Sequence, residues 1–229
     1  MRLQPVGEDA LLLYLGDSAT AVTSTRVQAA VLAIESVLGE DLVDLVPSYA
    51  SVLILYDPLR TDHLRVARRV RGALHNLHDP HAQPAPAPRC VALPVYYAAE
   101  VGADLESLSA RAGLSVQEVI DLHTGTDYRV YAIGFAPGFA YLGEVDERIA
   151  APRLATPRAR VARGSVGIAE RQTAVYPSDS PGGWNLIGRC PLPLFDARAQ
   201  PPMPVSVGDN VRFESISRER FLALGGDLA

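Results

Sequence analysis

Short apolar runs and two stretches of helical spacing divide the first part of the chain. Residues 2–15 read as two short strands around a turn at Gly7-Glu8-Asp9. Over residues 19–38, Val27, Ala30, Val31, Ile34 and Leu38 recur at three- and four-residue intervals, which places them on one helical face, and Gly39 ends the helix. The runs Leu42–Val46 and Val52–Tyr56, either side of Pro47-Ser48-Tyr49-Ala50, predict a strand pair. A second helix begins near Thr61 and buries Leu64, Ala67, Val70, Leu74 and Leu77, with its arginines mainly on the other side. Strands alternating with two helices predict an α+β domain in which both helices cover one face of a small sheet.

The pattern then breaks. Residues 80–88 form a Pro/Ala connector, extended and semi-rigid, that separates a domain at 1–79 from one at 89–229. The second domain opens with a strand at Cys90–Tyr96 and two helical segments. Asp104–Arg111 ends at Gly113, and Ser115–His123 starts with a capping box of Ser115 and Glu118. Short β segments follow at Tyr128–Phe135, Arg160–Ala169, Thr173–Tyr176, Asn185–Cys190 and Val211–Ile216. Many short strands joined by Gly/Pro turns predict a mainly-β, closed or nearly closed barrel.

Composition removes several classes of chemistry. All 21 basic residues are arginine. The chain therefore has no P-loop lysine, no Schiff-base lysine and no lysine to carry biotin or lipoate, so no covalent cofactor of that kind is expected. A net charge of −5 argues against nucleic-acid binding. Cys90 and Cys190 are far apart, form no C-x-x-C motif and read as reduced thiols. The N-terminal apolar run is too short for a signal or a membrane span, so a cytoplasmic protein is expected. His75, His78 and His81 are spaced H-x-x-H-x-x-H, but Pro80 breaks the helix before the third; a solvated helix end is expected rather than a metal site.

Candidate chemistry concentrates between Tyr131 and Asp196. Gly134–Phe139 fits a glycine turn facing an anion, or a packed β turn. Pro152-Arg153 and Pro157-Arg158 repeat one dipeptide, and a guanidinium held this way can grip a carboxylate or phosphate. Gly164-Ser165-Val166-Gly167 lacks the spacing of a Walker motif and of a nucleophile elbow. Gln172 and Tyr176 point the same way on a strand, where an amide and a phenol can orient a small polar ligand or serve the core. In Ser180-Pro181-Gly182-Gly183-Trp184 two glycines precede the only tryptophan, as an aromatic lid over close backbone or a plug in the barrel. His123, the sole histidine after the connector, is a candidate acid or base, or a structural residue. These patterns describe a binding barrel with an arginine-rich polar site and name no reaction.

An ordered set of segments goes further. His123-Thr124 with Tyr128-Arg129-Val130, GFAPGFAYLG at 134–143, PRLATPRARVARGSVGIA at 152–169, YPSDSPGGWNLIGR at 176–189 and Leu194-Phe195-Asp196 resemble the family of the 5-oxoprolinase B subunit, also called allophanate hydrolase subunit 1 or the KipI-type kinase inhibitor. The resemblance implies an N-terminal ferredoxin-like α/β domain and a C-terminal cyclophilin-like β barrel with a carboxyltransferase-domain relationship. It implies a heteromeric hydrolase in which this chain, a second cyclophilin-like subunit and a third protein open 5-oxoproline to glutamate with ATP and magnesium. Its alternatives are inhibition of a sensor histidine kinase and action on a related small amide of the urea or allophanate type. Prolyl isomerisation follows from fold analogy alone. In the hydrolase reading His123 is the catalytic acid/base and Arg153 and Arg158 grip anions. Gln172 and Tyr176 orient the ligand, and Ser165, Gly182, Gly183, Trp184 and Arg189 complete the binding set. Two positions depart from the family pattern: Ala174 stands where glycine is usual, and Cys190 where threonine is common.

Overall fold

A computed structural model describes residues 1–18, 20–76 and 88–228, which fall into two compact units, Met1–Ala87 and Pro88–Ala229. The expected contributions of Leu77, His78, His81 and most of the 80–88 connector lie outside the described residues.

In the first unit the order is β1 (Arg2–Pro5), β2 (Ala10–Tyr14), α1 (Ala21–Leu38), β3 (Leu42–Pro47), β4 (Ser51–Tyr56) and α2 (His63–Asn76). Among the described residues the strands form one antiparallel sheet in the order β1-β2-β4-β3. Moving the last strand of the ferredoxin-like β-α-β-β-α-β order to the front gives this arrangement, so the expected layout holds with its edge strand supplied from the N-terminal side. Alternation builds the core: Val52, Ile54 and Tyr56 of β4 are buried, and their neighbours Ser51, Leu53 and Leu55 are only half-buried. Leu11 and Leu13 join them, covered by Val27, Ala30, Ile34 and Leu38 of α1 and by Val66, Ala67, Val70 and Leu74 of α2. By length and composition α1 is apolar enough to cross a bilayer, yet its apolar stripe is buried in this core. The stripe on α2 starts later than expected. Leu64 is exposed, because the Asp62 carboxylate accepts from the main-chain N–H groups of Leu64 and Arg65 and fixes the helix start, which turns Val66 inward instead.

The second unit contains β5 (Cys90–Val95), α3 (Leu105–Ala112), α4 (Val116–Thr124), β6 (Asp127–Ile133), β7 (Ala140–Gly143), β8 (Arg158–Val161), β9 (Ser165–Ala169), β10 (Gln172–Val175), β11 (Ser180–Gly182), β12 (Asn185–Arg189), β13 (Asn210–Ser215) and α5 (Arg218–Ala223). The expected strand Arg160–Ala169 is two strands, because Gly164 takes a φ of 81° and turns the chain between β8 and β9. β7, β11 and α5 are additions to the expected set. Among the described residues seven strands make one sheet, β12-β9-β10-β7-β6-β13-β5, antiparallel except where β13 runs parallel to β5. The sheet closes on itself. Tyr96, just past β5, exchanges main-chain hydrogen bonds with Arg189 at the end of β12, both at 2.9 Å. Gly188 permits this approach, since a Cβ there would lie 2.7 Å from the Tyr96 carbonyl oxygen.

Inside the barrel Val130, Leu142, Val166, Ile168, Val175 and Ile187 meet Leu105 and Leu108 of α3 and Val119 of α4. The capping box that starts α4 is complete: Ser115 Oγ accepts from Glu118 N, and the Glu118 carboxylate accepts from Ser115 N.

Candidate functional site

Strand alternation gives the barrel wall a second, outward face. On β9, β10 and β12 the residues Val166, Ile168, Val175 and Ile187 point into the core. Ala169, Ala174, Tyr176 and Leu186 point the other way, into a cluster with Phe139, Val161 and Trp184. The β8–β11 ribbon lies against this outer face through Val161 of β8 and Gly182 of β11.

Aromatic rings organise the face. Phe139 stands edge-on to Tyr141, Tyr176 and Trp184, with centroids 4.9, 5.4 and 5.6 Å away. Tyr176 is buried, and burial pushes its phenol above the usual range although a bond with the Trp184 backbone pulls the other way. Its hydroxyl explains Gly182: a Cβ there would fall 2.3 Å from Tyr176 Oη. The Gly183 carbonyl accepts from Leu154 N at 2.7 Å and ties the arginine-bearing loop to the glycine pair.

The two Pro-Arg arginines have different surroundings. Arg153 is exposed, its guanidinium carbon 5.9 Å from the centre of the Trp184 ring. Arg158 is held by Asp104, donating from Nη2 to both carboxylate oxygens at 2.7 and 2.9 Å, and gives Nη1 to the Trp184 carbonyl at 3.3 Å. Asp104 is itself buried and also accepts from Leu186 N at 2.7 Å. Arg158 is therefore a strut that sets the position of Trp184, and its grip on an anion is already occupied by Asp104. Gln172 is half-buried at the start of β10, on the same side as Ala174 and Tyr176.

One step along the sheet, Tyr176 N bonds Ser165 O, and Ser165 pairs with Arg189. Ser165 is buried, and its hydroxyl has no hydrogen-bond partner among the described residues. Arg189 is largely buried and donates from Nη1 to the Asp227 carbonyl at 2.6 Å. It lines a cleft with Arg160, Arg163 and Asp179.

His123 is on the other side of the wall. Its partner Thr173 alternates with Gln172 and Ala174 and so faces inward, with the imidazole stacked on Phe213 at 4.5 Å. The histidine is fully buried, and burial alone drives its pKa down to about 3. Thr173 donates its hydroxyl proton to the Gly167 carbonyl at 3.0 Å, so its oxygen accepts from His123 Nε2–H at 2.9 Å. Nδ1 must then accept from the Tyr97 hydroxyl at 2.7 Å. Both nitrogens are engaged and the ring is neutral. The expectation of an acid/base at His123 is thus corrected: its geometry is that of a core connector, cut off by the sheet from Arg153 and Trp184. Asp104, Tyr97 and Thr173 are the positioning residues that sequence reasoning did not assign; Asp104 lies 54 positions from Arg158, and no local spacing announces the pair.

Residues 1–205 match the family model of the carboxyltransferase domain, subdomain C and D. The B subunit of 5-oxoprolinase from Bacillus subtilis is 37% identical over 232 residues, covering 97% of this chain and 95% of the relative. The protein of the same name from Escherichia coli O157:H7 is 37% identical over 211 residues, covering 91% and 93%. The crystal structure of the protein TTHA0988 superposes with a TM-score of 0.81 at 34% identity; the match takes in 92% of this chain and 40% of that one.

Proposed function

Because the chain belongs to the carboxyltransferase-domain family, subdomains C and D, we propose that it is a subunit of a 5-oxoprolinase, a hydrolase complex that opens a five-membered lactam to glutamate. The observation that carries this reading is the nearly end-to-end match to the B subunit of the Bacillus subtilis 5-oxoprolinase. A subunit so named works with others, and we infer a second cyclophilin-like barrel and a third protein as its companions. The length of TTHA0988, of which this chain spans 40%, supports a larger assembly by showing the same unit joined to further polypeptide.

Amide resonance makes a lactam carbonyl a poor electrophile, and ATP would supply the activation by phosphorylating its oxygen and creating a leaving group. This chain's part is binding and orientation. Arg153 is the exposed guanidinium at the aromatic face, suited to a substrate carboxylate. Tyr176, held protonated by burial, and the Gln172 amide supply neutral polar groups on the same strand face. Arg158 and Asp104 fix the Trp184 backbone beneath them. Among the described residues no group of three His, Cys, Asp or Glu is arranged to hold a metal ion. We infer that the complex as a whole uses ATP with magnesium, an ion that takes most of its ligands from the nucleotide phosphates and water.

The test is ADP release by the purified chain mixed with its two companions. Release that depends on 5-oxoproline and not on urea is expected. Release with urea alone would transfer the reading to a urea-type substrate, and a chain that never co-purifies with its companions would refute it.

A further inference from the structure

Beside the corner where the barrel closes lies a cleft of ≈ 170 Å³ that the aromatic face does not use. One wall is the end of the β8–β11 ribbon, carrying Arg160, Arg163 and Asp179; the others are Arg189 and the C-terminal segment with Phe221 and Asp227. The walls are fixed. Arg189 is pinned at the Tyr96 closure and bonds the Asp227 carbonyl. Gly225 N and Gly226 N bond back to the Leu222 and Phe221 carbonyls at 3.0 and 2.9 Å.

We propose that this cleft binds a small oxyanion, a carboxylate or phosphate group, with Arg163 and Arg189 as its cationic walls. The charge balance favours it. Among the described residues the lining holds three guanidinium groups and two carboxylates. Asp179 is already satisfied, accepting from Arg160 Nε and from the Arg163 main-chain N–H, both at 2.8 Å, so it cancels Arg160. Arg163 is exposed, and none of the ion pairs among the described residues uses its guanidinium, the carboxylate of Asp179 being paired with Arg160. Cys190, also in the lining, keeps its proton because burial raises its thiol to about 11, and it adds no competing negative charge.

Size decides the class of ligand. At ≈ 170 Å³ the cleft is well below the ~300–1,000 Å³ of sites for drug-sized ligands and suits one small oxyanion group. A forked guanidinium matches either oxyanion. The alternative occupant is water around a solvated Arg163.

This inference is independent of the hydrolase reading, because it is tested on the full chain alone. Calorimetric titrations with phosphate, acetate and 5-oxoproline are run in a chloride-free buffer at fixed ionic strength. Binding of at least one anion in the millimolar range or tighter is expected, weakened about tenfold in Arg163→Gln and strengthened in Asp227→Asn, which removes one of the two carboxylates. Phosphate alone identifies a phosphate site, and the carboxylates alone an acid site; both support the cleft. Amide shifts of Gly225 and Gly226 in the titrated protein locate the anion even where a variant folds poorly. No binding by any of the three, or equal binding by both variants with Gly225 and Gly226 unmoved, overturns it.

Discussion

At His123 the direction of every proton follows from one fact: Thr173 has a single hydroxyl hydrogen and gives it to the Gly167 carbonyl. The imidazole must be neutral to accept from Tyr97 and donate to Thr173, and this makes stability depend on pH. The folded-state pKa of about 3 lies below an unfolded value near 6.5. The unfolded chain therefore binds the extra proton, and the contribution is complete above about pH 6.5 and lost as pH falls toward 3. Urea unfolding should show this residue removing about 2 kcal/mol between pH 7 and pH 5, a window above the carboxylate range. In His123→Gln that slope should vanish; an unchanged slope would mean that the ring is not buried neutral. The two arginines give a second contrast. Arg158→Ala leaves Asp104 buried with only the Leu186 N–H and should cost about 2–3 kcal/mol, with a shift in Trp184 emission. Arg153→Ala, at an exposed site, should change stability by no more than about 0.5 kcal/mol. Equal losses in the two would contradict the strut. The sequence shows both arginines after a proline and does not separate them, because what separates them is Asp104, from a helix start far along the chain.

At the scale of elements, what is legible is what local chemistry decides. Ser115 and Glu118 announce α4 because both halves of the capping box lie within one turn. The alternation of Gln172, Ala174 and Tyr176 gives the outward face of β10. The helix face over Val27, Ala30, Ile34 and Leu38 is readable for the same reason. The break between β8 and β9 is not, since the stretch from Arg160 to Ala169 also fits one long strand, and it is the positive φ of Gly164, beside the Cys190 carbonyl, that makes the turn. Barrel closure is equally hidden, because Tyr96 and Arg189 meet only after the whole sheet has formed. Gly188→Ala tests that closure. A methyl 2.7 Å from the Tyr96 carbonyl oxygen requires backbone to move, and the cost should be about 1–3 kcal/mol in thermal or urea unfolding, with loss of protection at the Tyr96 and Arg189 amides in hydrogen exchange. Retained protection at wild-type stability would show that the closure is looser than described.

For the whole molecule, the fold class is legible because the strand and helix periods differ so clearly either side of the Pro/Ala connector, and the segments between 123 and 196 carry the family. The site is legible only in outline. Its density of Gly, Pro and Arg points to the outer face of the barrel, but His123 falls on the inner side, and the cleft at Arg189 needs a wall from the last residues of the chain. The proposed subunit role rests on the outward aromatic face and its exposed Arg153. The most direct measurement is glutamate formation from 5-oxoproline and ATP by the complete set of subunits, and by the same set with this chain omitted and then restored. Glutamate is predicted only when this chain is present, with activity recovered on its return. Glutamate formed equally well without it would contradict the assignment.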